Sequence, residues 1–200
     1  MSRINETLAM DRRRFLRASI AGGALLAVGG GLLVPRLFAA QNAPDGTPGQ
    51  VTLEIFGDDG RDIGPKQVDK LVLSDAQWRK RLSPSSYDIL RRDGTERAYS
   101  GEHEKPATAG LFRCMGCANA LYDAATEFDS GTGWPSFWQP IAKRNVIEKT
   151  DHMFGMTRTA ISCAKCEGHL GHVFNDGPKP TGLRYCMNSV ALQFVPRNTA

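Results

Sequence analysis

Two Cys-x-x-Cys pairs, Cys114 with Cys117 and Cys163 with Cys166, together with a fifth cysteine at position 186, constrain this chain more than any other feature. A Cys-x-x-Cys turn lets two sulfurs face one ion, and a second such turn completes a zinc tetrahedron with no open position. An ion held that way joins two distant loops, offsets part of the entropy of closing them, and stays out of turnover. Spacing alone leaves two other readings open: a pair of structural disulfides, or a redox-active dithiol of the thioredoxin type. On the zinc reading, Cys186 is the one thiol left for chemistry.

The chain has 200 residues and 41% hydrophobic content, enough for one proper core, with no sign of collagen, disorder or a disulfide-dense miniprotein. Its net charge of +4 is unevenly placed: six Arg against Glu6 and Asp11 fall in residues 1 to 40, which leaves 19 basic and 19 acidic residues in the rest. A neutral body without a basic stripe argues against nucleic acid as the main partner.

The excess charge belongs to a leader. Asp11-Arg12-Arg13-Arg14-Phe15-Leu16-Arg17 precedes an apolar, small-residue run from Ala18 to Val34. This resembles a twin-arginine export signal and implies a periplasmic or cell-envelope location. A membrane anchor through residues 18–35 is the competing reading: Arg17 and Arg36 bracket 18 residues, borderline for spanning about 30 Å of hydrocarbon. Cleavage is undecided, because Phe38 spoils an Ala-x-Ala site in Leu37-Phe38-Ala39-Ala40.

The expected organisation is a signal or anchor over 1–40, a flexible Pro/Gly-rich linker over 41–65 and a catalytic-sized domain over 66–200. Within the linker, "VTLEIF" at 51 to 56 reads either as an edge strand, which would start the fold near Val51, or as part of the tether. Ser74-Asp75-Ala76-Gln77 has capping-box spacing and predicts a short helix through about Arg81; Ser83-Pro84 predicts a second. From Leu111 on, strand-like runs such as 153 to 162 and 189 to 195, separated by Gly, Asn and Pro, predict mostly antiparallel sheet.

Three further segments carry a resemblance. Gly133-Trp134-Pro135-Ser136-Phe137, then His169-Leu170-Gly171-His172-Val173-Phe174 with Asp176-Gly177-Pro178, then Leu183-Arg184-Tyr185-Cys186-Met187-Asn188-Ser189 follow in order, interleaved with the cysteine pairs. Over about residues 70 to 196 the chain resembles the B-type methionine sulfoxide reductases, which reduce the R epimer of protein-bound methionine sulfoxide. The resemblance implies a mainly β, tent-like fold of two antiparallel sheets with short N-terminal helices. It also implies one structural zinc on Cys114, Cys117, Cys163 and Cys166, oxidised proteins as substrate and a thioredoxin-like or small thiol as reductant.

The chemistry can be argued from the residues as well. A sulfoxide sulfur is attacked by a soft nucleophile, and a thiolate at Cys186 suits if nearby charge or hydrogen bonds stabilise it, with Arg184, His169 and His172 as candidates. The departing oxygen must be protonated, for which His172 is the first choice and His169 an assistant. Asn188 can hydrogen-bond substrate or thiol, and Asp176 can orient an Arg or His. Trp134 could receive the S-methyl group, as the resemblance implies, with Phe174 extending that wall. Attack leaves Cys186 as a sulfenic acid.

Each residue has a plainer reading. Cys186 could be a buried strand cysteine, His169 and His172 metal ligands, Trp134 a core plug, and Arg184 with Asp176 a structural ion pair. His103 and His152 read as surface or loop residues. Many relatives carry a resolving cysteine just before the Trp, where this chain has Ser130-Gly131-Thr132-Gly133-Trp134. With four cysteines on zinc, no thiol remains to trap the sulfenic acid internally, so an external thiol must attack it. Against the reductase stand a noncatalytic zinc-stapled β module, with an unreactive Cys186, and a Cys-x-x-Cys oxidoreductase without metal.

Overall fold

The computed structural model describes residues 44–101, 108–151 and 157–197. The leader, with residues 18–35, and His103, His152, Met153 and Met156 lie outside the described residues. No helix among the described residues is long and apolar enough to cross a membrane.

The chain order is β1 (Pro44–Asp45), β2 (Gln50–Phe56), β3 (Asp62–Asp69), β4 (Leu73–Ser74), α1 (Asp75–Arg81) and α2 (Pro84–Arg92). Then come β5 (Gly110–Cys114), β6 (Ala120–Asp123), β7 (Glu127–Phe128), β8 (Ser136–Phe137), β9 (Val146–Asp151), β10 (Arg158–Cys163), β11 (His169–Phe174), β12 (Arg184–Met187) and β13 (Leu192–Pro196). Two larger antiparallel sheets form the body, one of six strands in the order β7-β8-β12-β11-β10-β9 and one of three, β13-β5-β6. The mainly β class with short helices ahead of the sheets is as expected, and two small ribbons, β1-β4 and β2-β3, are added to it.

Both helices start where their caps require. Ser74 Oγ accepts the N–H of Gln77 while the Gln77 side chain accepts the N–H of Ser74, a complete capping box. In α2, Ser83 caps a helix whose first residue is Pro84, and Asp93 ends it at φ 54. The helices bury Trp78, Tyr87, Ile89 and Leu90. The run at 189 to 195 behaves differently from the expectation of a single strand: Ser189–Ala191 is a 3-10 turn, and β13 begins only at Leu192.

The sheets meet through aromatic rings. Tyr122 of β6 stacks on Phe137 of β8 with centroids 4.3 Å apart, and Phe112 of β5 meets the same ring edge-on at 5.0 Å. Tyr122 also donates its hydroxyl to the Met187 sulfur at 3.1 Å. Period-2 alternation then fixes β12: Tyr185 and Met187 face this core, so Arg184, itself buried, and Cys186 lie on the opposite face of the sheet.

The linker expected over 41–65 needs correcting, because β2 and β3 pair as a hairpin from Gln50 to Asp69 and the boundary at 66 falls inside β3. The cause is specific anchoring that no local pattern reveals. Leu53 is buried, and Asn145, wholly buried, exchanges two hydrogen bonds of 2.9 Å with the backbone of Glu54. Arg113 holds the turn through the carbonyl of Phe56 at 2.9 Å and the carboxylate of Asp58 at 2.8 Å.

Candidate active site

The four paired cysteines come together from two turns with the same hydrogen-bond pattern. Cys114 donates its N–H to the Asn119 carbonyl and Cys163 to that of Gly168; the N–H groups of Ala118 and Glu167 return to the carbonyls of Cys114 and Cys163. Ala118 and Glu167 both turn the chain with positive φ, 59 and 58. The sulfurs of Cys114 and Cys166 are 3.7 Å apart, those of Cys117 and Cys163 are 3.5 Å apart, and all four lie within 4.8 Å of one another, buried. All four are free thiols and not disulfides, in a cluster that can hold one metal ion.

The second assembly is a row of paired residues crossing the six-stranded sheet. Phe128, Ser136, Cys186, His172, Ala160 and Lys149 are successive partners from β7 to β9. Directly opposed residues of antiparallel strands share a face, so Cys186 stands between Ser136 and His172 on the face turned away from the aromatic core. Two pairs along, on the same face, Arg184 is opposite Phe174 and its guanidinium lies 4.4 Å from the centre of that ring. The N–H of Met187 donates to the Pro135 carbonyl at 2.9 Å, which brings Trp134-Pro135 alongside the nucleophile strand.

Cys186 is half-buried. Burial pushes its thiol above the ordinary value of 9.0, while the charge of Arg184 and side-chain hydrogen bonds from Thr132, Arg184 and Ser136 pull it down. Arg184 is held in a two-pronged bond to Asp176, Nε to Oδ1 at 2.9 Å and Nη2 to Oδ2 at 2.8 Å. That hydrogen bond keeps the Asp176 carboxyl below its usual range.

The two histidines differ. His169 is 4% exposed with its Nε2 unpartnered, and burial followed by the nearby charge of His172 lowers it to about 4. It is therefore neutral at pH 7. His172, 5.2 Å away ring to ring, puts its Nε2 3.0 Å from Asp151 Oδ2, a carboxylate that also takes Arg158 Nη2 at 3.2 Å. Asp176, expected to orient an Arg or a His, serves Arg184; the carboxylate on His172 is Asp151.

Trp134 is half-buried, and its indole N–H donates to the carbonyl of Glu96 at 3.2 Å. Asn188 spends its amide on the backbone: Oδ1 accepts the N–H of Glu96 at 3.0 Å and Nδ2 donates to the carbonyl of Leu170 at 3.0 Å. Glu96 thus ties two expected site residues together, and its carboxylate accepts from Ser189 N, Ser189 Oγ and Val190 N at 2.6, 2.8 and 3.2 Å. Sequence reading passes over Glu96 and Asp151 because neither sits in a motif; only strand pairing and chain return deliver them.

Two hollows flank the row. One of about 430 Å³ is lined by His169, His172, Asp151, Arg158 and Thr95. The other, about 540 Å³, is lined by Trp134, Pro135, Ser136, Ser130 and Tyr99. Cys186 lines neither, but its partners His172 and Ser136 line one each, so the sulfur stands between them. A half-buried thiol, an imidazole braced by a carboxylate and an aromatic wall on one sheet face suit nucleophilic chemistry with proton donation.

Comparison with known proteins is consistent with this layout. The SelR domain matches residues 82–196. A "Peptide methionine sulfoxide reductase MsrB" of Bradyrhizobium diazoefficiens is 54% identical over 129 residues, 64% of this chain and 93% of that protein. Proteins of the same name from Pseudomonas syringae pv. syringae, 51% identical over 66% of this chain and all of the relative, and from Thiobacillus denitrificans, 52% over 62% and 95%, align comparably. With the matched span covering more than half of its length and all of the residues above from Glu96 to Ser189, this chain belongs to the SelR-domain family of B-type methionine sulfoxide reductases.

Proposed function

We propose that this protein reduces the R epimer of protein-bound methionine sulfoxide, with Cys186 as the nucleophile. The observation that carries the reading is the pairing of Cys186 with His172 across β12 and β11, with Arg184 on the same face. The Cys186 thiolate attacks the sulfoxide sulfur, the S–O bond breaks, and the oxygen, protonated once, ends on Cys186 as a sulfenic acid while methionine departs. Since Nε2 of His172 is engaged by Asp151, Nδ1 is the ring nitrogen left to deliver the proton. His169, neutral, offers polarity and shape in place of charge. Trp134 supplies an apolar face for the S-methyl group, which favours one epimer.

Turnover is completed from outside. One external thiol attacks the sulfenic sulfur, forming a mixed disulfide and water, and a second thiol releases Cys186 with an external disulfide as product. Thr132 stands where many relatives carry a resolving cysteine, and the four paired cysteines are committed elsewhere. A tetrahedral zinc with bonds of about 2.3 Å has sulfur–sulfur edges of about 3.8 Å. The spacings of 3.7 and 3.5 Å fit it, and we assign Cys114, Cys117, Cys163 and Cys166 as ligands of one structural zinc. The leader supports export by a twin-arginine-type route to the periplasm or cell envelope, with a tether through residues 18–35 as its uncleaved form. Repair of envelope proteins follows from that location.

The deciding experiment supplies separate R and S methionine-sulfoxide peptides and a chemical dithiol to the zinc-loaded protein and its Cys186→Ser variant. Release of methionine from the R peptide alone, lost in the variant, is the expected result. Turnover by Cys186→Ser, or of neither epimer by the parent, overturns the assignment.

A further inference from the structure

On the β8 side of Cys186 runs a chain of three hydroxyls that the mechanism above leaves unused. Ser136, wholly buried, is the partner of Cys186 on β8. Ser130 Oγ lies 2.8 Å from Ser136 Oγ and 2.8 Å from Thr132 Oγ1, which makes one connected chain. Ser136 opposes Cys186 directly across the strands, and hydrogen bonding from both ends of the chain, Thr132 and Ser136, is among the influences that draw the Cys186 thiol down.

The loop carrying Thr132 is held from outside by Tyr99. The Tyr99 N–H donates to the Gly133 carbonyl at 2.8 Å and its hydroxyl to the Gly131 carbonyl at 2.5 Å. Gly131 and Gly133 take φ of +68 and +82, and a Cβ on Gly133 would come within 2.6 Å of the Tyr99 ring. Tyr99 itself sits at φ 60, a costly conformation for a bulky residue that persists only where surrounding contacts over-determine it. The backbone on both sides of Thr132 is thus held, and its hydroxyl stays on Ser130.

Counting protons shows what this chain does. Three hydroxyls hold three protons. With a neutral thiol, Ser136 Oγ donates to the Trp134 carbonyl, 3.1 Å away. With a thiolate, Thr132 and Ser136 turn their protons to sulfur and Ser130 donates to one of them, so two donors converge on the anion at the loss of the bond to Trp134 and of one of the two bonds at Ser130.

We propose that Thr132 and Ser136, linked through Ser130, are positioning residues for Cys186 that aim two O–H donors at its thiolate and hold the sulfur in line for the sulfoxide. This rests on the reading of Cys186 as nucleophile. The other groups facing the sulfur are Arg184 on its own strand, paired with Asp176, and His172 from β11, backed by Asp151 and Arg158; Phe128 lies beyond Ser136, and Lys149 closes the far end of the row.

The test is the rate of Cys186 alkylation by iodoacetamide across pH, read by mass spectrometry of the Cys186 peptide, in the zinc-loaded full chain. Hydrogen bonds to an ion are about twice as strong as neutral ones, so Thr132→Val should raise the alkylation midpoint by about one pH unit and slow the reaction near neutrality about tenfold. Thr132→Ser should restore it. Ser136→Ala should shift the midpoint in the same direction; Ser136 is fully buried, so Thr132→Val remains the deciding variant should that protein lose its zinc. A midpoint unmoved in zinc-replete Thr132→Val overturns the proposal. Because alkylation needs no turnover, retained reductase activity in Cys186→Ser would defeat the nucleophile reading separately.

Discussion

The main-chain carbonyl of Glu96 accepts the indole N–H of Trp134 at 3.2 Å, while the N–H of the same residue donates to Asn188 at 3.0 Å. Its carboxylate covers the start of the 189–191 turn, so one residue ahead of the sheets sets both the aromatic wall and the end of the nucleophile strand. Glu96→Ala removes the acceptor of three hydrogen bonds. It should cost about 1–3 kcal/mol in urea unfolding and change Trp fluorescence, whereas Glu96→Gln keeps part of both. Stability and fluorescence identical to the parent would contradict this.

The histidine pair predicts an acid-side loss of stability. His169 falls from 6.5 to about 4 on folding, because burial disfavours its charged form. The unfolded chain therefore binds the extra proton between those values, and the contribution of neutral His169 is complete above about pH 6.5 and lost as pH falls toward 4. Unfolding free energy should drop by about 2–3 kcal/mol from pH 7.5 to pH 4.5 from this residue, and His169→Phe should flatten the slope. Parallel slopes in the two proteins would refute it.

Asp151→Asn removes the charge that fixes His172, and should lower turnover of the R peptide by about tenfold to a hundredfold with Cys186 alkylation largely retained. Asp176→Asn, which frees Arg184, should instead move the alkylation profile. Equal effects of the two variants on both readouts would show that the carboxylates are not divided between His and Arg in this way.

Thr132→Cys brings a second thiol to the nucleophile. A disulfide between positions 132 and 186 should form after one turnover and appear in non-reducing peptide maps. The parent, at full zinc occupancy, should yield no intramolecular disulfide at Cys186. Finding one there would end the case for an external reductant.

Zinc removal by a chelator under reducing conditions should abolish cooperative unfolding, since the cluster joins β5 and β10 turns at the centre of the core. Metal analysis should return one zinc per chain in the parent and in Cys186→Ser, and about none in Cys114→Ser. A chelated protein that still unfolds cooperatively at the parent temperature would show that the ion is dispensable.

Local chemistry was legible in the sequence where neighbouring residues carry it. The capping box at Ser74 and the Pro after Ser83 mark both helices, and the Cys-x-x-Cys turns mark the four-cysteine cluster. What long-range pairing creates was not legible. Asp151 reaches His172 only because β9, β10 and β11 align, and Asn145 secures the β2-β3 hairpin from 91 residues away. The turn-rich segment after Phe56 looks the same whether it closes a hairpin or continues a tether, and the decision rests with Asn145 and Arg113.

The row from Phe128 to Lys149 makes reactivity conditional on correct assembly. Side chains alternate along a strand, so sliding β12 by one residue would bury Cys186 among the aromatics and turn Tyr185 to solvent. A misassembled copy would therefore carry a silenced thiol in place of a rogue oxidant-sensitive one, and iodoacetamide labelling of Cys186 doubles as a quality mark for the molecules that reached their native sheet.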